Sequence, residues 1–555
     1  MRGFLACSIA PSLALIPISA FAKLVEVAPG DDVEAAIATL MPGDELVLAG
    51  GMYVLTERFG ISIAGTESQP IVIRAKDGEV AHFHRPIPDQ NIVDVDSAQF
   101  VVFRGLEFSG GSAGVRLSNV SFTTIESCEI HDTGDVALRA NDGGVDYDSL
   151  LISRNHIHHT NNTGEGMYLG CNGDACRVRN SIIEGNWVHH TNQASVDQGD
   201  GIEMKEGSHD NVIRDNVIHD THYPCILAYS VVGNGGPNVI DRNVMWNCGD
   251  HGIQVAADAI VRNNVLLGSN ANGIAMQPHQ AGAPRNLVVV HNTVLHATND
   301  AISVSDPVGQ VTLANNALYA QRGSAIAVFG DAGWVTALGN VGEGGVSGLA
   351  GGVAPGMLTT DFVDPHYRGE PPIDLFPSLG STLVGAGDPA HAVHDDFNCL
   401  SRSGDPPDAG AYGWQAGNNP GWAIQSGFRQ CTDDPDDPGD ETTGDSGEAG
   451  ETANTETPST MSSGGSSNTG SSDHGSSDTG SNEVDPSGTG DIVDRGCACD
   501  QTGRSMSRLA TLSALALIWR RRRENALSSG ATHDPRTSSG TGGIRTLGGV
   551  SPTQV

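Results

Sequence analysis

One short segment gathers the side chains best suited to acid–base chemistry. Lys205 ends the run DGIEMK, which also holds Asp200 and Glu203, and it is one of three lysines among 555 residues. A lysine amine acts as a general base at neutral pH when a nearby cation favours its neutral form. Glycoside hydrolysis instead needs two carboxyl groups about 5 to 10 Å apart, which Asp200 with Glu203 or Glu165 would supply.

Histidines form a second set with the potential to bind a metal. The runs IHDT, IHHT, VHHT and IHDT place His131, His158, His189 and His219 at equivalent positions. Imidazole is a ligand of zinc and copper. Four side chains stacked about 4.8 Å apart do not converge on one ion at about 2.1 Å. We therefore interpret the column as stacked, hydrogen-bonded turn residues.

The elements that position these residues are short strands in a repeat. Each unit holds three apolar runs with period-two alternation, as in GIEMK, GIQVA and GIAMQ, and this pattern indicates strands. Three strands per turn, each paired with its equivalent one turn away, predict a parallel coil. An asparagine at the turn fits this coil, since it bonds to the equivalent side chains above and below and tolerates a left-handed backbone. The recurring asparagines are Asn155, Asn186, Asn216, Asn243, Asn264, Asn292 and Asn316.

Alternation also assigns each side chain to one face of its strand. Ile202 and Met204 are expected to point into the coil, and Glu203 and Lys205 to point outward. Aligning the repeats predicts three neighbouring columns, in which ionisable groups concentrate between Asp135 and His251. The columns are Arg139, Gly170, Lys205, Ala228, Ala256, Gln277 and Ser305; Ala137, Tyr168, Glu203, Ile226, Gln254, Ala275 and Ser303; and Asp135, Glu165, Asp200, His222, His251, Asn272 and Asp300.

The stacked N-x-I-H-D-T and D-G-I units resemble the right-handed parallel β-helix proteins of the pectate-lyase-like class, from about Leu24 to Trp414. The resemblance implies an all-β fold of three-strand coils. It also implies a helical N-terminal cap within residues 31–40 and a closing segment from Phe362 to Trp414. In the calcium-dependent lyases of this class, a strand similar to DGIEMK carries the lysine that abstracts the proton beside a uronate carboxylate.

The same resemblance implies a role for each residue of the candidate site. The implied catalytic residues are Lys205 as base, Arg139 and Glu203; the implied substrate-binding residues are Tyr168, His251 and Gln254; and the implied calcium ligands are Glu165, Asp197 and Asp200, because calcium takes several oxygen donors. The class has a cluster of aspartates on the preceding coil, where this chain has chiefly Glu165. The alternative for Lys205 is a solvated side chain paired with Glu203 or Glu206.

The ends of the chain differ from the repeat array. Residues 1–22 read as a secretory signal peptide, residues 23–430 as the β-helix domain, and residues 431–495 as an acidic Ser/Gly/Thr linker that stays disordered. Residues 496–524 hold a Cys-containing turn, a short apolar anchor segment and four arginines, followed by a tail at 525–555. This arrangement resembles the myxobacterial C-terminal sorting signal. It implies delivery to the outer membrane or cell surface, with Cys497 or Cys499 as the attachment point.

The cysteines bear on where the protein is located, and the net charge limits which partners it can bind. Secretion permits disulfides, and the candidate pairs are Cys171 with Cys176, Cys225 with Cys248, and Cys399 with Cys431, leaving Cys128. The other interpretation is that several of these are buried thiols. A formal net charge of −36 argues against nucleic-acid binding, and it repels polyanions unless a cation intervenes.

Two functions follow from the sequence. The first is a secreted, surface-anchored, monomeric enzyme acting on acidic polysaccharide, with Lys205 as the base of a lyase and calcium as cofactor. The second is a non-catalytic glycan-binding or adhesion module.

Overall fold

Short apolar runs that alternate inward and outward side chains build a parallel β-helix, as predicted. The computed structural model describes residues 22–431. The predicted signal peptide, linker, sorting signal and tail lie outside these residues, apart from residues 22 and 431. Within the described residues, no helix is long and apolar enough to cross a membrane.

Each turn contributes one strand to each of three sheets, named here sheets 1, 2 and 3 in the order in which the chain visits them. Sheet 1 contains Leu24–Val27, Glu45–Leu48, Ile71–Ala75, Gln99–Arg104, Ser121–Glu126, Leu151–Ser153, Ile182–Glu184, Val212–Arg214, Asn238–Asp241, Ala259–Arg262, Leu287–Val290, Val311–Ala314 and Val335–Leu338, with Asp146–Asp148 and Arg177–Arg179 beside this path. Sheet 2 contains Gly51–Val54, Ala81–Arg85, Leu106–Gly110, Glu129–His131, His156–His158, Trp187–Thr191, Val217–Thr221, Val244–Cys248, Val265–Leu267, Thr293–Leu295, Ala317–Tyr319, Asn340–Glu343 and Val353–Pro355. Sheet 3 contains Gly60–Ile61, Val93–Asp96, Val115–Ser118, Leu138–Ala140, Met167–Leu169, Ile202–Met204, Ile226–Ala228, Ile253–Val255, Ile274–Met276, Ile302–Ser305, Ile326–Phe329 and Val346–Ser347.

Stacked aliphatic side chains fill the coil. On sheet 3, Ile202, Ile226 and Ile253 pair in register on successive turns, and all three are fully buried. Burying each such side chain contributes about 1.5–3 kcal/mol relative to leaving it exposed. Met204 joins the same core cluster, which confirms the inward assignment of Ile202 and Met204.

A ladder of buried asparagines runs along the turn between sheets 1 and 2. The side-chain amide of Asn186 donates to Oδ1 of Asn216 (2.9 Å), and that of Asn216 donates to Oδ1 of Asn243 (2.9 Å). The same acceptor oxygens also take the backbone N–H of the asparagine one turn before. The ladder ends at Asn340, which was not predicted from the repeat and accepts from the side-chain amide of Asn316 (2.9 Å).

The ladder asparagines are not the left-handed residues of the turn. Positive φ falls on the residue before each of them, as at Arg154 (55°), Asp215 (58°) and Arg242 (54°). The turn therefore selects asparagine for its hydrogen bonds. On the earlier coil Cys128 occupies the ladder position, with its N–H donating to Oδ1 of Asn155 (3.0 Å), and its thiol is buried and free.

Two further segments pack against the coil and cover parts of it. The cap helix is shorter than predicted, Val33–Ile37, with the Asp32 side chain accepting from the N–H of Ala35 (2.9 Å). The closing segment packs sideways on sheet 2 through a second apolar cluster that includes Trp246, Phe376 and Tyr412.

The remaining elements are few. They are the helix Leu358–Asp361, the short 3₁₀ turns Asn172–Asp174, Ala332–Trp334 and Pro389–His391, and the antiparallel pair Phe362–Asp364 and Asp374–Pro377. The three predicted disulfides are formed, joining Cys171 to Cys176, Cys225 to Cys248, and Cys399 to Cys431.

The ladder makes a stability prediction. Replacing Asn216 by alanine leaves the N–H of Asn186 and the carbonyl of Ile183 without their side-chain partners. Each buried group left unpaired costs about 1–3 kcal/mol, so we expect Asn216→Ala to lower the free energy of unfolding in urea by roughly 2–4 kcal/mol. The exposed Asn270 bonds only to the Gly249 carbonyl, and Asn270→Ala is expected to change stability by less than about 0.5 kcal/mol. Equal losses in both variants would contradict the role given to the ladder.

Candidate functional site

The outer face of sheet 3 carries a continuous column of side chains, with a register that corrects the predicted alignment. The column reads Asp94, Arg116, Arg139, Tyr168, Glu203, Leu227, Gln254, Ala275 and Ser303. Arg139 stands beside Tyr168 and was wrongly placed beside Gly170. The reason is that apolar Leu138 takes the inward position of that strand, in register with Met167.

The predicted register is also wrong by one residue on the turn after Glu203, for the same reason. Ile226 points into the core, so Leu227 rather than Ile226 stands beside Glu203, and Tyr229 rather than Ala228 stands beside Lys205. The predicted neighbours Gly170 and Lys205 are indeed adjacent, because a Cβ on Gly170 would lie 3.1 Å from the Cβ of Lys205.

Lys205 lies in a buried polar cluster. Its Nζ is 2.6 Å from Oε1 of Glu203, and the exposed fractions of the two side chains are 5% and 2%. The ammonium also donates to the Tyr229 hydroxyl (3.1 Å), which donates in turn to Oε1 of Glu203 (3.1 Å). Nζ lies 4.7 Å from the ring centroid of Tyr168 and 4.6 Å from that of Tyr229, so cation–π attraction holds it between the rings.

Three carboxyl groups, including that of Glu203, lie close together in this cluster. Single oxygens of Glu165, Asp200 and Glu203 all lie within 4.8 Å of one another, and the residues are 0–1% exposed. Among residues 22–431, no hydrogen-bond partner exists for either carboxyl oxygen of Glu165, for Oδ1 of Asp200 or for Oε2 of Glu203. Carboxylate oxygens with unused lone pairs are the ligands of calcium and magnesium.

Burial raises the pKa of two of these carboxyl groups, those of Glu165 and Asp200. Desolvation, reinforced by the negative charge of Glu203, raises the pKa of Glu165 to about 7. The same two causes, in the same order, raise the pKa of Asp200 well above its ordinary value. The adjacent Glu206 is also buried, and desolvation raises its pKa. The cluster therefore holds four carboxyl groups against one ammonium, and it needs protons or a bound cation to balance their charge.

A loop covers the cluster. His279 and Gly282 bridge through their backbones, and the His279 ring nitrogen Nε2 lies 3.0 Å from the Tyr229 hydroxyl. When the side-chain amide of Gln280 is oriented with its NH2 group towards Glu206, it donates hydrogen bonds to the Glu206 carboxylate. Lys205 is consequently only 4% exposed. It is paired with Glu203 as the alternative proposed, but it is buried and not solvated.

Four of the predicted site residues lie away from the cluster. Asp197, a predicted metal ligand, is exposed on its turn and does not join the carboxylate trio. Arg139 and Gln254 lie two turns from Glu203 on opposite sides, about 10 Å away at the spacing of a parallel sheet. Buried His251 accepts from the N–H of Asn272 (3.1 Å).

Farther along sheet 3, small side chains leave an open depression of about 600 Å³. Ser303 of the outward column lies on its lining, together with Gln277, Asp300 and Arg322. Phe329, 52% exposed, forms part of the same lining and offers an aromatic face.

Sequence comparison agrees with this architecture. The family model described as "Right handed beta helix region" matches residues 60–197 and 188–318. The coil is a right-handed parallel β-helix. No curated protein matches the sequence significantly.

Solved structures with a similar fold include carbohydrate-active enzymes. Pectate lyase Pel9A is 18% identical, covering 70% of this chain and 96% of its own, with a TM-score of 0.42. An alginate lyase from Paenibacillus sp. str. FPU-7 is 20% identical, covering 57% and 99%, with a TM-score of 0.39. XylC, solved in complex with xylose, is 9% identical, covering 73% and 99%, with a TM-score of 0.47. These likenesses concern the fold.

The raised pKa of Glu165 predicts a pH dependence of stability. A carboxyl that titrates near pH 7 when folded and near pH 4.3 when unfolded stabilises the fold fully below about pH 4, and this contribution is lost as the pH rises to about 7. We expect the unfolding free energy of the wild type, measured with chelator present, to fall between pH 5 and 8. The fall in Glu165→Gln should be smaller, by on the order of 1–3 kcal/mol.

The matched control is Glu26→Gln, which changes an exposed carboxyl and should keep the wild-type slope. If Glu165→Gln and wild type lose stability in parallel over this interval, Glu165 does not hold a proton in the folded protein.

Proposed function

We propose that the protein is a secreted, cell-surface lyase that acts on acidic polysaccharide at the cluster of Glu165, Asp200, Glu203, Lys205 and Tyr229. One observation carries the proposal: these ionisable groups are buried together on the outside of the coil, with carboxyl oxygens left unpartnered. Burying unpaired charge costs several kcal/mol. Perturbed carboxyl groups gathered in this way are typical of functional sites.

A structural role accounts for the cluster less well. The interior of the coil is filled by a separate apolar cluster that includes Ile202 and Met204 but none of the charged residues. On other turns the position equivalent to Glu203 is taken by Leu227 and Ala275. The fold therefore does not require acidic groups at this position.

The chain's own groups suit proton abstraction beside a carboxylate. Glu203, 2.6 Å from Nζ, orients the Lys205 side chain, whose amine in its neutral form is the base. The Tyr229 hydroxyl contacts Lys205, Glu203 and His279, and it is placed to return a proton to the leaving oxygen. A substrate reaches Lys205 only after the loop at His279 and Gln280 moves aside.

Calcium fits the unpartnered oxygens of Glu165, Asp200 and Glu203, because it prefers several oxygen ligands. When bound there, it would neutralise the carboxylates and attract the acid group of the substrate. A chain with a formal net charge of −36 otherwise repels a polyanion. The three disulfides are consistent with the proposed secretion, since such bonds persist in oxidising surroundings.

The proposal predicts the effect of removing the base. Lys205→Met keeps the length of the side chain and removes the amine, so turnover should fall by at least about 100-fold, as expected for loss of a general base. The assay is the ultraviolet absorbance of unsaturated products from pectate, alginate or a glycosaminoglycan, with and without calcium. Lys76→Met, at an exposed lysine paired with Glu79 (3.0 Å), is the control. Full activity in Lys205→Met would contradict the assignment of the base.

A second function is favoured by the burial of Lys205 beneath the loop at His279 and Gln280. If that loop never opens, the protein is a non-catalytic module that holds glycan on the face of sheet 3, including the open depression beside Ser303. The same assay separates the functions: binding to immobilised polymer without unsaturated products supports the module. New reducing ends without unsaturation would instead indicate a hydrolase using Asp200 with Glu203 or Glu165.

A further inference from the structure

The outer face of sheet 2 carries a second array of ionisable groups, separate from the Lys205 cluster. The rings of His131, His158, His189 and His219 stack on successive turns at 5.0–5.1 Å, as the sequence predicted for this column. Trp246 ends the stack, 4.3 Å from His219. Beyond this point the closing segment covers the face with apolar side chains, whereas on the earlier turns the histidine side chains keep 13–23% of their surface exposed.

The neighbouring column places a glutamate between histidines at two positions. Oε1 of Glu107 lies 3.2 Å from Nδ1 of His82 and 3.1 Å from Nε2 of His131. One turn later, Oε1 of Glu129 lies 3.3 Å from Nδ1 of His156 and 3.1 Å from Nε2 of His158. Unlike four histidines stacked in one column, the three ligand atoms of each set come from two neighbouring columns and lie within 4.8 Å of one another.

These distances match the edges of a metal coordination shell. Ligands about 2.0–2.1 Å from a tetrahedral zinc ion are separated from one another by about 3.3 Å. A charge-assisted hydrogen bond between an imidazolium and a carboxylate is shorter, at about 2.7–2.9 Å. In both sets a single carboxylate oxygen faces two ring nitrogens at 3.1–3.3 Å, a spacing that suits ligands around an ion. In the metal-free chain the two 3.1 Å contacts are hydrogen bonds, which a bound ion would replace.

The other ring nitrogens are held by partners that would orient the ligands. Nδ1 of His131 contacts the Asp132 carboxylate (2.8 Å), and Nε2 of His82 contacts the Ser109 hydroxyl (2.6 Å). Hydrogen bonds of this kind fix the ring and increase its basicity in metal sites.

The second set is oriented in the same way by histidines. Nδ1 of His158 contacts Nδ1 of His159 (2.7 Å), and Nε2 of His156 contacts Nε2 of His189 (2.9 Å). The indole of Trp187 stacks on His156 at 4.1 Å and fixes its plane. Glu129 keeps 41% of its side chain exposed, so an ion can reach this set directly from solvent.

We propose that sheet 2 binds two divalent transition-metal ions of the zinc class, one at His82, Glu107 and His131 and one at Glu129, His156 and His158. Each set supplies two imidazoles and one carboxylate, a donor combination that suits zinc, nickel and copper better than calcium. Three protein ligands leave a fourth position for water or for a group of a bound molecule.

The test is a zinc titration of the chain without a polyhistidine tag, followed by calorimetry. Two ions per chain are expected, with dissociation constants in the micromolar range or below. Glu107→Gln and Glu129→Gln should each reduce the stoichiometry to one, and the double variant should reduce it to none. His222→Ala, at an exposed histidine outside both sets, should still bind two ions, as should Glu165→Gln at the carboxylate trio of sheet 3.

Cobalt substitution gives a second readout that depends on the ligands. Tetrahedral cobalt absorption should appear with the wild type and lose about half its intensity in each single glutamate variant. Circular dichroism of each variant shows that the coil is intact. The proposal is overturned if the folded wild type binds no zinc below millimolar concentration, or if the double glutamate variant still binds two ions.

Discussion

The structure depends on register between successive turns. Each parallel pairing brings a residue beside its equivalent one turn away, so the buried amides of Asn186, Asn216 and Asn243 bond in line. This constraint repeats along the coil, and it sets which outward side chains meet. Because the Lys205 cluster and the histidine–glutamate sets are built from different turns, both exist only while this register is kept.

The two outer faces use their ionisable groups in different environments. On sheet 3, burial removes water from Glu165 and Asp200 and raises their pKa values, which favours acid–base work or the binding of a hard cation. On sheet 2, partly exposed imidazoles paired with Glu107 and Glu129 favour a softer ion. The closing segment covers the apolar part of sheet 2, and Phe428 beyond it packs edge-on against His156.

The sequence was sufficient to predict the features that repeat from turn to turn. The asparagine ladder, the inward positions of Ile202 and Met204 and the stacked histidines all follow from alternation and spacing. The neighbour of Arg139 and the neighbour of Lys205 on the next turn were misassigned because loops of unequal length precede the sheet 3 strands. Counting from the turn therefore does not fix where each strand begins. Tyr229 was missed for this reason, and His279 because its loop returns from 50 residues away.

The most direct test of the central claim is calcium binding to the carboxylate trio, followed by calorimetry at pH 7 in two buffers of different ionisation enthalpy. Buried carboxyls that hold protons must release them when an ion binds. The wild type is expected to bind one ion at the trio and to release protons as it does so, whereas Asp200→Asn should bind more weakly and release fewer. Absence of calcium binding, or binding with no proton release in either buffer, would contradict the account.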